Sequence, residues 1–162
     1  MATAGAPIRV IGLGNAVRGD DAIGLEVARL VGSRSKAVDV ALSVPDGTTL
    51  LDLWSDVPLC FVVDCTVSGQ RPGAIHVFDG LRDHLPDHLF SVFSTHAFSI
   101  PRAVLLGRTL GRLPHKLRIY GIEGGNFQCG AGIARTVHRA GRMVADRILT
   151  EISVSPPCGN PT

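Results

Sequence analysis

Four residues in this sequence are of types, and in places, that suit chemistry. Asp21 follows a loop containing glycines and opens a helical pattern, and Asp64 follows a short apolar run. Asp46 lies in a Pro-Asp-Gly turn, and His96 lies in Ser-Thr-His-Ala-Phe-Ser before another helical pattern. Two carboxylates and one imidazole can bind a divalent transition metal and leave coordination positions open. Asp21, Asp64 and His96 therefore predict a metal-ion site, provided that the fold brings them together.

Each of these side chains also has a purely structural interpretation. Asp20 or Asp21 could cap the helix that follows, a role worth about 1 kcal/mol. Asp64 could cap a turn, although a bare carboxylate at the edge of the core costs several kcal/mol and needs a partner or a cation. Taken alone, His96 is typical of a surface histidine.

The elements that must position these residues can be read from apolar periodicity. Short apolar runs predict strands at 8–12, 38–44, 59–63, 75–78 and 116–122. Helical spacing predicts helices over 21–31, after Thr48 or Thr49, over 101–110 and over 133–149. The segment 80–95 has no clear period and is rich in His, Asp, Pro and Ser, which predicts an exposed loop.

Strands that alternate with helices predict an α/β fold: a three-layer α/β/α sandwich around a twisted, mainly parallel five-stranded sheet. We expect one domain over residues 1–152 and a flexible tail over 153–162. In such folds the ligand lies beyond the carboxyl ends of the strands. This rule selects the loop 14–21, Asp46 with Gly47, and Asp64.

Composition excludes several classes of function. The net charge of +2 and the dispersed basic residues do not match a nucleic-acid binder. No apolar run is long enough for a membrane span, and the first residues lack a signal-peptide pattern, so we expect a cytoplasmic protein. The four cysteines show no metal-ligand spacing and indicate free thiols. Cys60 and Cys65 flank an apolar run, which predicts that they are small core residues. Five basic residues within 102–118 could meet an acidic partner or form a solvated helix face.

Other site chemistries lack their motifs. The third glycine of a dinucleotide-binding loop is replaced by Val17, and no Gly-Lys-Ser/Thr follows the loop as in a phosphate-binding loop. No Gly-x-Ser-x-Gly turn is present, and Cys65 has no histidine at a recognisable spacing. A serine or cysteine hydrolase is therefore disfavoured.

Motifs along almost the entire chain up to the tail resemble those of the nickel-dependent NiFe-hydrogenase maturation endopeptidases. Ile-Gly-Leu-Gly-Asn followed by Gly-Asp-Asp-Ala-Ile-Gly looks like the first motif of that family, with Asp21 at its metal-ligand position. Asp46-Gly47-Thr48 resembles the family's Asp-Gly-x-Thr element, one glycine shorter. Val62-Val63-Asp64 resembles the next element, and Ser94-Thr95-His96 resembles the Ser-x-His that precedes a helix.

The resemblance implies a protease domain that removes the C-terminal extension of a NiFe-hydrogenase large-subunit precursor after nickel has been inserted. Asp21, Asp64 and His96 would be the metal ligands, and Asp46 the catalytic base or the residue that orients it. Nickel would arrive in the active site of the substrate rather than reside in the isolated enzyme. The precursor would be the partner, with no nucleic acid and no membrane involved.

Two alternatives stay open at this point. A maturation chaperone could recognise the nickel without cutting the polypeptide, because the motif residues indicate metal recognition and do not identify a nucleophile. A peptidyl-tRNA hydrolase-like esterase also begins with Gly-Leu-Gly-Asn, but that family continues differently from Ala16-Val17-Arg18-Gly19.

Overall fold

The computed structural model describes residues 8–43, 47–90 and 99–154. Five strands and four α-helices follow one another along this part of the chain, and they alternate except where the fourth strand follows the third directly. The strands are β1 (Ile8–Leu13), β2 (Val38–Ser43), β3 (Leu59–Thr66), β4 (Ile75–Asp79) and β5 (Lys116–Glu123). The helices are α1 (Ile23–Arg34), α2 (Gly47–Trp54), α3 (Ile100–Leu110) and α4 (Arg135–Val154), and a short 3-10 helix (Gly19–Ala22) precedes α1.

The strands form one sheet in the order β2-β1-β3-β5-β4. The three pairings among β2, β1, β3 and β5 are parallel, and only β4 runs antiparallel, along β5. The predicted α/β class and the mainly parallel five-stranded sheet are therefore confirmed. Because β1, β3 and β5 are parallel, their carboxyl ends meet at one edge of the sheet.

Helices cover both faces of the sheet, and each face has its own apolar core. Alternate residues of β3 serve the two cores: Cys60 and Val62 pack with α2 and α3, whereas Phe61 and Val63 pack with α1 and α4. A strand buried on both faces reads as a continuous apolar run, which is why 59–63 was recognisable from sequence. Cys60 and Cys65, expected to be small core residues, are both buried.

Glycines in the first motif allow α1 to pack directly on the sheet. A Cβ atom added to Gly24 would lie 2.3 Å from the carbonyl oxygen of Leu13 and 2.4 Å from that of Val63. Gly12 faces the same contact from the strand side, where an added Cβ would lie 2.4 Å from the Gly24 oxygen. The Gly-Leu-Gly and Ala-Ile-Gly parts of the motif therefore set how closely α1 approaches β1 and β3.

Replacing Gly24 with alanine is expected to destabilise the protein by about 2 to 3 kcal/mol, because the methyl group meets two strand carbonyls that cannot both move. The change in the free energy of unfolding can be measured by urea denaturation. Gly132→Ala is the matched control, since no atom lies within 4 Å of the added Cβ. Equal stability of the two variants would contradict this account of the motif.

The structure corrects four details of the expected elements. Asp64 does not follow β3 but lies within it, because pairing with β5 continues to Thr66. The first part of the segment 80–95 is not an exposed loop, because Leu85, Leu89 and Phe90 are buried in the core. Helix α2 begins at Gly47, so neither Thr48 nor Thr49 precedes it as a cap. Helix α4 extends to Val154, and residues 155–162 of the expected tail lie outside the described part.

Within the described ranges, no helix combines the length and the apolar character that crossing a bilayer requires.

Candidate functional site

Asp21 and Asp64 lie at the same edge of the sheet, beyond or near the carboxyl ends of β1 and β3. Asp21 is in the 3-10 helix, and its backbone oxygen lies 2.0 Å from where a Cβ of Gly14 would stand. Asp64 follows Val63, whose carbonyl oxygen is in contact with Gly24 of α1. The close packing of α1 on β1 and β3 therefore brings two carboxylates together that are 43 positions apart in sequence.

Both carboxylates are almost completely buried. Asp21 is 9% exposed and Asp64 is 4% exposed. Oδ2 of Asp21 accepts a hydrogen bond from the backbone N–H of Asn15 at 3.0 Å, and Oδ1 of Asp64 accepts one from the N–H of Cys65 at 2.8 Å. One backbone hydrogen bond does not compensate the loss of hydration of a carboxylate, so each group would gain from a nearby cation.

The electrostatics of this pair agree with that conclusion. Burial raises the pKa of Asp21, although the Asn15 hydrogen bond and the charge of Arg18 oppose the rise. Burial also raises the pKa of Asp64 to about 8, and the negative charge of Asp21 adds to the increase. A buried carboxylate whose ionised form is opposed both by burial and by a neighbouring carboxylate is typical of a site that receives a cation.

Cys65 lies in the middle of this acidic region. Burial raises the pKa of its thiol far above the usual range, and the charges of Asp64, Asp21, Asp20 and Glu123 raise it further. The thiol therefore stays protonated at neutral pH and is a poor nucleophile. This agrees with the prediction from sequence that Cys65 is a core residue.

Asp20 has a role that its sequence position did not reveal. It does not cap α1, because its Oδ2 accepts hydrogen bonds from the backbone N–H groups of Gly125 and Asn126, both at 2.9 Å. Its Oδ1 accepts a third, from Ala134 at 2.7 Å, and its own N–H donates to the Asn126 oxygen at 2.8 Å. The side chain is fully buried. Asp20 therefore fastens the segment 125–134 to the loop that carries Asp21.

Glu123 is a fourth buried carboxylate at this edge, and the sequence reasoning missed it. It is the last residue of β5 and is 1% exposed. Its carboxylate accepts hydrogen bonds from Thr66 Oγ1 at 2.8 Å, Ser68 N at 2.6 Å, Ser68 Oγ at 3.0 Å and Gly69 N at 3.1 Å. The signal was an acid at the end of an apolar strand, the same signal that identified Asp64.

The environment of Glu123 differs in kind from that of Asp64. Burial by itself would raise the pKa of Glu123, but the hydrogen bonds from Ser68 and Thr66, together with the nearby imidazole of His76, outweigh it and lower the pKa. Nε2 of His76 lies 3.5 Å from Glu123 Oε2, too far for good hydrogen-bond geometry, and this buried nitrogen has no hydrogen-bond partner among the described residues. Glu123 is thus satisfied as an anion by the protein itself, and it holds the turn after β3 in place.

Glu123→Gln is expected to lower the free energy of unfolding at pH 7 by about 2 kcal/mol, because a neutral amide cannot accept all four hydrogen bonds. A carboxyl whose pKa is lowered by folding stabilises the protein above its unfolded pKa, and this stabilisation is lost as the pH falls through the folded pKa. The difference between wild type and variant should therefore shrink below about pH 4. Urea denaturation at several pH values measures this difference in the free energy of unfolding, and Glu26→Gln, at an exposed position, is the control. A difference that does not change with pH would contradict the stabilising role of the Glu123 carboxylate.

The other two predicted site residues, Asp46 and His96, lie outside the described residues, so their roles remain predictions. Among the residues that the structure does describe, no three His, Cys, Asp or Glu side chains are grouped closely enough to hold a metal ion. The described part therefore supplies a pair of carboxylates, and a third ligand would have to come from elsewhere in the chain or from a substrate.

The basic residues within 102–118 are less available to a partner than their spacing indicated. Arg112 pairs with Asp52 at 2.8 Å, and Arg118 pairs with Glu151 at 3.4 Å. Arg108 donates a hydrogen bond to the carbonyl oxygen of Leu81 at 3.2 Å. Three of the five cations therefore have partners within the protein.

Several solved structures with the same fold are named hydrogenase maturation proteases or endopeptidases. The chain is similar to the hydrogenase maturating endopeptidase HybD from E. coli, with a TM-score of 0.70, 20% identity and coverage of 90% of this chain and 91% of that one. An endopeptidase from Escherichia coli gives a TM-score of 0.74 at 22% identity, with coverage of 90% and 91%. The NiFe hydrogenase maturation protease HycI from Thermococcus kodakarensis KOD1 gives 0.66 at 19% identity, covering 93% and 95%.

No protein-family model and no curated protein sequence matches the chain. The likeness is therefore one of structure, and it extends over nearly the full length of both chains. The protein has the fold of the hydrogenase maturation endopeptidases.

Proposed function

We propose that this protein is an endopeptidase that removes the C-terminal extension of a NiFe-hydrogenase large-subunit precursor. The observation that carries the proposal is the pair of buried, poorly compensated carboxylates, Asp21 and Asp64, at the carboxyl edge of the sheet. The same residues occupy the ligand positions of the motifs that resemble the maturation endopeptidases. The fold shared with proteins of that name supports the same assignment.

In this proposal nickel belongs to the substrate. The precursor presents the metal with part of its coordination shell open, and Asp21, Asp64 and His96 complete that shell. The carboxylates gain a cation that relieves their burial in an apolar environment, so binding favours the nickel-loaded precursor over the empty one. A metal held beside the scissile bond can polarise a carbonyl or a water molecule, and Asp46 is the proposed base or orienting residue.

The test is processing of a purified large-subunit precursor, followed by mass spectrometry of its C-terminus. The wild-type protein is expected to release one C-terminal peptide from the nickel-loaded precursor and none from the nickel-free precursor. The variants Asp21→Ala, Asp64→Ala and His96→Ala are expected to release none. Asp146→Ala, which changes an exposed carboxylate on α4, is the matched control and should cleave normally.

Other outcomes would point elsewhere. Nickel-dependent binding without cleavage would identify a chaperone that recognises the precursor but does not cut it. Cleavage that survives all three substitutions would show that the site is not built from these residues.

A further inference from the structure

Three arginines form a stripe on the exposed face of α4. Arg135, Arg139 and Arg142 are separated by four and three residues, so they lie above one another on one side of the helix. All three are exposed. In the described part of the chain none of them takes part in an ion pair or a hydrogen bond, whereas Arg34 pairs with Asp146 farther along the helix at 2.9 Å. We call these three residues the α4 arginine stripe.

The stripe is unfavourable for the isolated protein. Like charges at these spacings repel each other, at a cost of about 0.2 to 0.5 kcal/mol per pair. The amino end of a helix carries partial positive charge and disfavours cations in its first turn. The first turn of α4 itself contains no acidic residue, and Asp146 is the first carboxylate in that helix. The buried carboxylate of Asp20 at the amino end already accepts three backbone hydrogen bonds. Stability of the fold therefore does not explain the stripe.

The stripe begins beside the candidate site. The residue before Arg135 is Ala134, whose N–H donates to Asp20 at 2.7 Å, and Asp20 is the neighbour of Asp21. The turn that contains Gly73 also lies against the start of α4, because a Cβ on Gly73 would stand 2.9 Å from the oxygen of Thr136. Exposed Arg71 belongs to that turn and adds another positive charge. A polypeptide that enters the site from this side would meet the stripe.

We propose that the α4 arginine stripe is a docking surface for an acidic face of the protein substrate. The inference rests on the proposed function and adds to it a place where the precursor is recognised away from the nickel. Charge complementarity selects an acidic partner, and such pairs act mainly on association and register. Three cations are fewer than the 6 to 10 phosphate contacts that a salt-sensitive nucleic-acid binder makes, and the net charge is only +2.

The test reverses the charge of the stripe and measures steady-state processing of the nickel-loaded precursor. The triple variant Arg135→Glu, Arg139→Glu, Arg142→Glu is expected to raise KM by about tenfold or more and to change kcat less than twofold. Raising the salt concentration from low to about 0.3 M should raise KM for the wild type and have little effect on the variant, since screening removes the same attraction. The melting temperature should stay the same or rise.

A control variant carries the same change in charge at the opposite edge of the sheet. Lys36 precedes β2 and Arg82 follows the antiparallel β4, so both lie near the amino edge, away from Asp21. Arg147 lies near the same edge, because its neighbour Asp146 pairs with Arg34 at the end of α1. All three cations are exposed. The variant Lys36→Glu, Arg82→Glu, Arg147→Glu is expected to keep the wild-type KM.

The outcomes separate this inference from the proposed function. A stripe variant with the wild-type KM overturns the docking surface, even if that variant has lost affinity for RNA or anionic vesicles. Normal cleavage by the wild type would then leave the proposed function intact. An equal rise in KM for the control variant also overturns it, because the effect would then follow net charge. A wild type that neither binds nor cleaves the precursor contradicts both proposals.

Discussion

Asp64→Asn is expected to lower processing of the nickel-loaded precursor by at least about 100-fold and, at the same time, to stabilise the isolated protein. The loss of processing follows from removing one of two carboxylates that would bind the substrate metal. Even a residue that only hydrogen-bonds to a metal ligand lowers metal affinity or activity by about 10- to 100-fold when it is changed. The gain in stability follows from burial, because the wild-type carboxylate is 4% exposed and its ionised form loses hydration in the folded protein.

The sign of the stability effect can be derived from the pKa. Folding raises the pKa of Asp64 to about 8, from an ordinary value near 4 in the unfolded chain. The protonated form therefore stabilises the fold, and this contribution is lost as the pH rises from about 4 through about 8. Asparagine does not ionise, so the variant should exceed the wild type at pH 8 by about 1 to 3 kcal/mol and show a flatter dependence on pH.

Two measurements check this prediction on the same protein samples. Urea denaturation between pH 5 and pH 8 gives the free energy of unfolding, and mass spectrometry of the precursor gives the rate of processing. Asp146→Asn, which changes an exposed carboxylate, is expected to leave both nearly unchanged. A variant that is both inactive and less stable at pH 8 would instead indicate that Asp64 is a structural residue.

Asp20→Ala is expected to have the opposite effect and to cost about 3 to 5 kcal/mol of stability. The substitution leaves the N–H groups of Gly125, Asn126 and Ala134 without their acceptor, and each unsatisfied buried donor costs about 1 to 3 kcal/mol. Part of this cost is recovered, because Gly125 and Asn126 are exposed enough to bind water. The total is still a large fraction of the usual stability of a domain.

Thermal unfolding measures the effect, with an expected drop in melting temperature of about 10 to 15 °C. Asp20→Asn is the informative companion variant. Its amide oxygen can accept a hydrogen bond from Ala134, but its amide nitrogen faces the N–H groups of Gly125 and Asn126. The drop in melting temperature should therefore be smaller than for Asp20→Ala. A melting temperature within about 2 °C of wild type for Asp20→Ala would show that the segment 125–134 is held by other contacts.

These two neighbouring acids show what reading the sequence could and could not predict. The sequence placed Asp20 and Asp21 at the start of a helix, where either could have been a cap or a ligand. Their functions diverge only in three dimensions, because the carboxylate of Asp20 reaches backbone donors more than 100 positions away while that of Asp21 stays beside Asn15. Hydrogen bonds over such separations have no local sequence signal.

The segment after β4 shows that burial in the core, too, can lack a local sequence signal. Its composition predicted an exposed loop over 80–95, yet Leu85, Leu89 and Phe90 are buried there. Irregular backbone has no period for apolar residues to follow, so burial in such a segment depends on what packs against it. Glu123 was missed for a related reason, because its four hydrogen bonds come from Thr66 at the end of β3 and from Ser68 and Gly69 in the turn that follows.

The sequence by itself determined the succession of strands and helices, the mainly parallel sheet and the edge of the sheet at which Asp21 and Asp64 lie. Periodicity and glycine placement are local properties, and they are sufficient for these conclusions. The tertiary structure alone decided which acids are satisfied by the protein and which are not. Asp20 accepts hydrogen bonds from three backbone donors, and Glu123 accepts them from backbone and hydroxyl donors. Among the described residues, Asp21 and Asp64 each accept one hydrogen bond from a backbone N–H, and the charge of Asp21 opposes ionisation of Asp64. That difference arises from the packing of α1 against β1 and β3, which brings distant parts of the chain together.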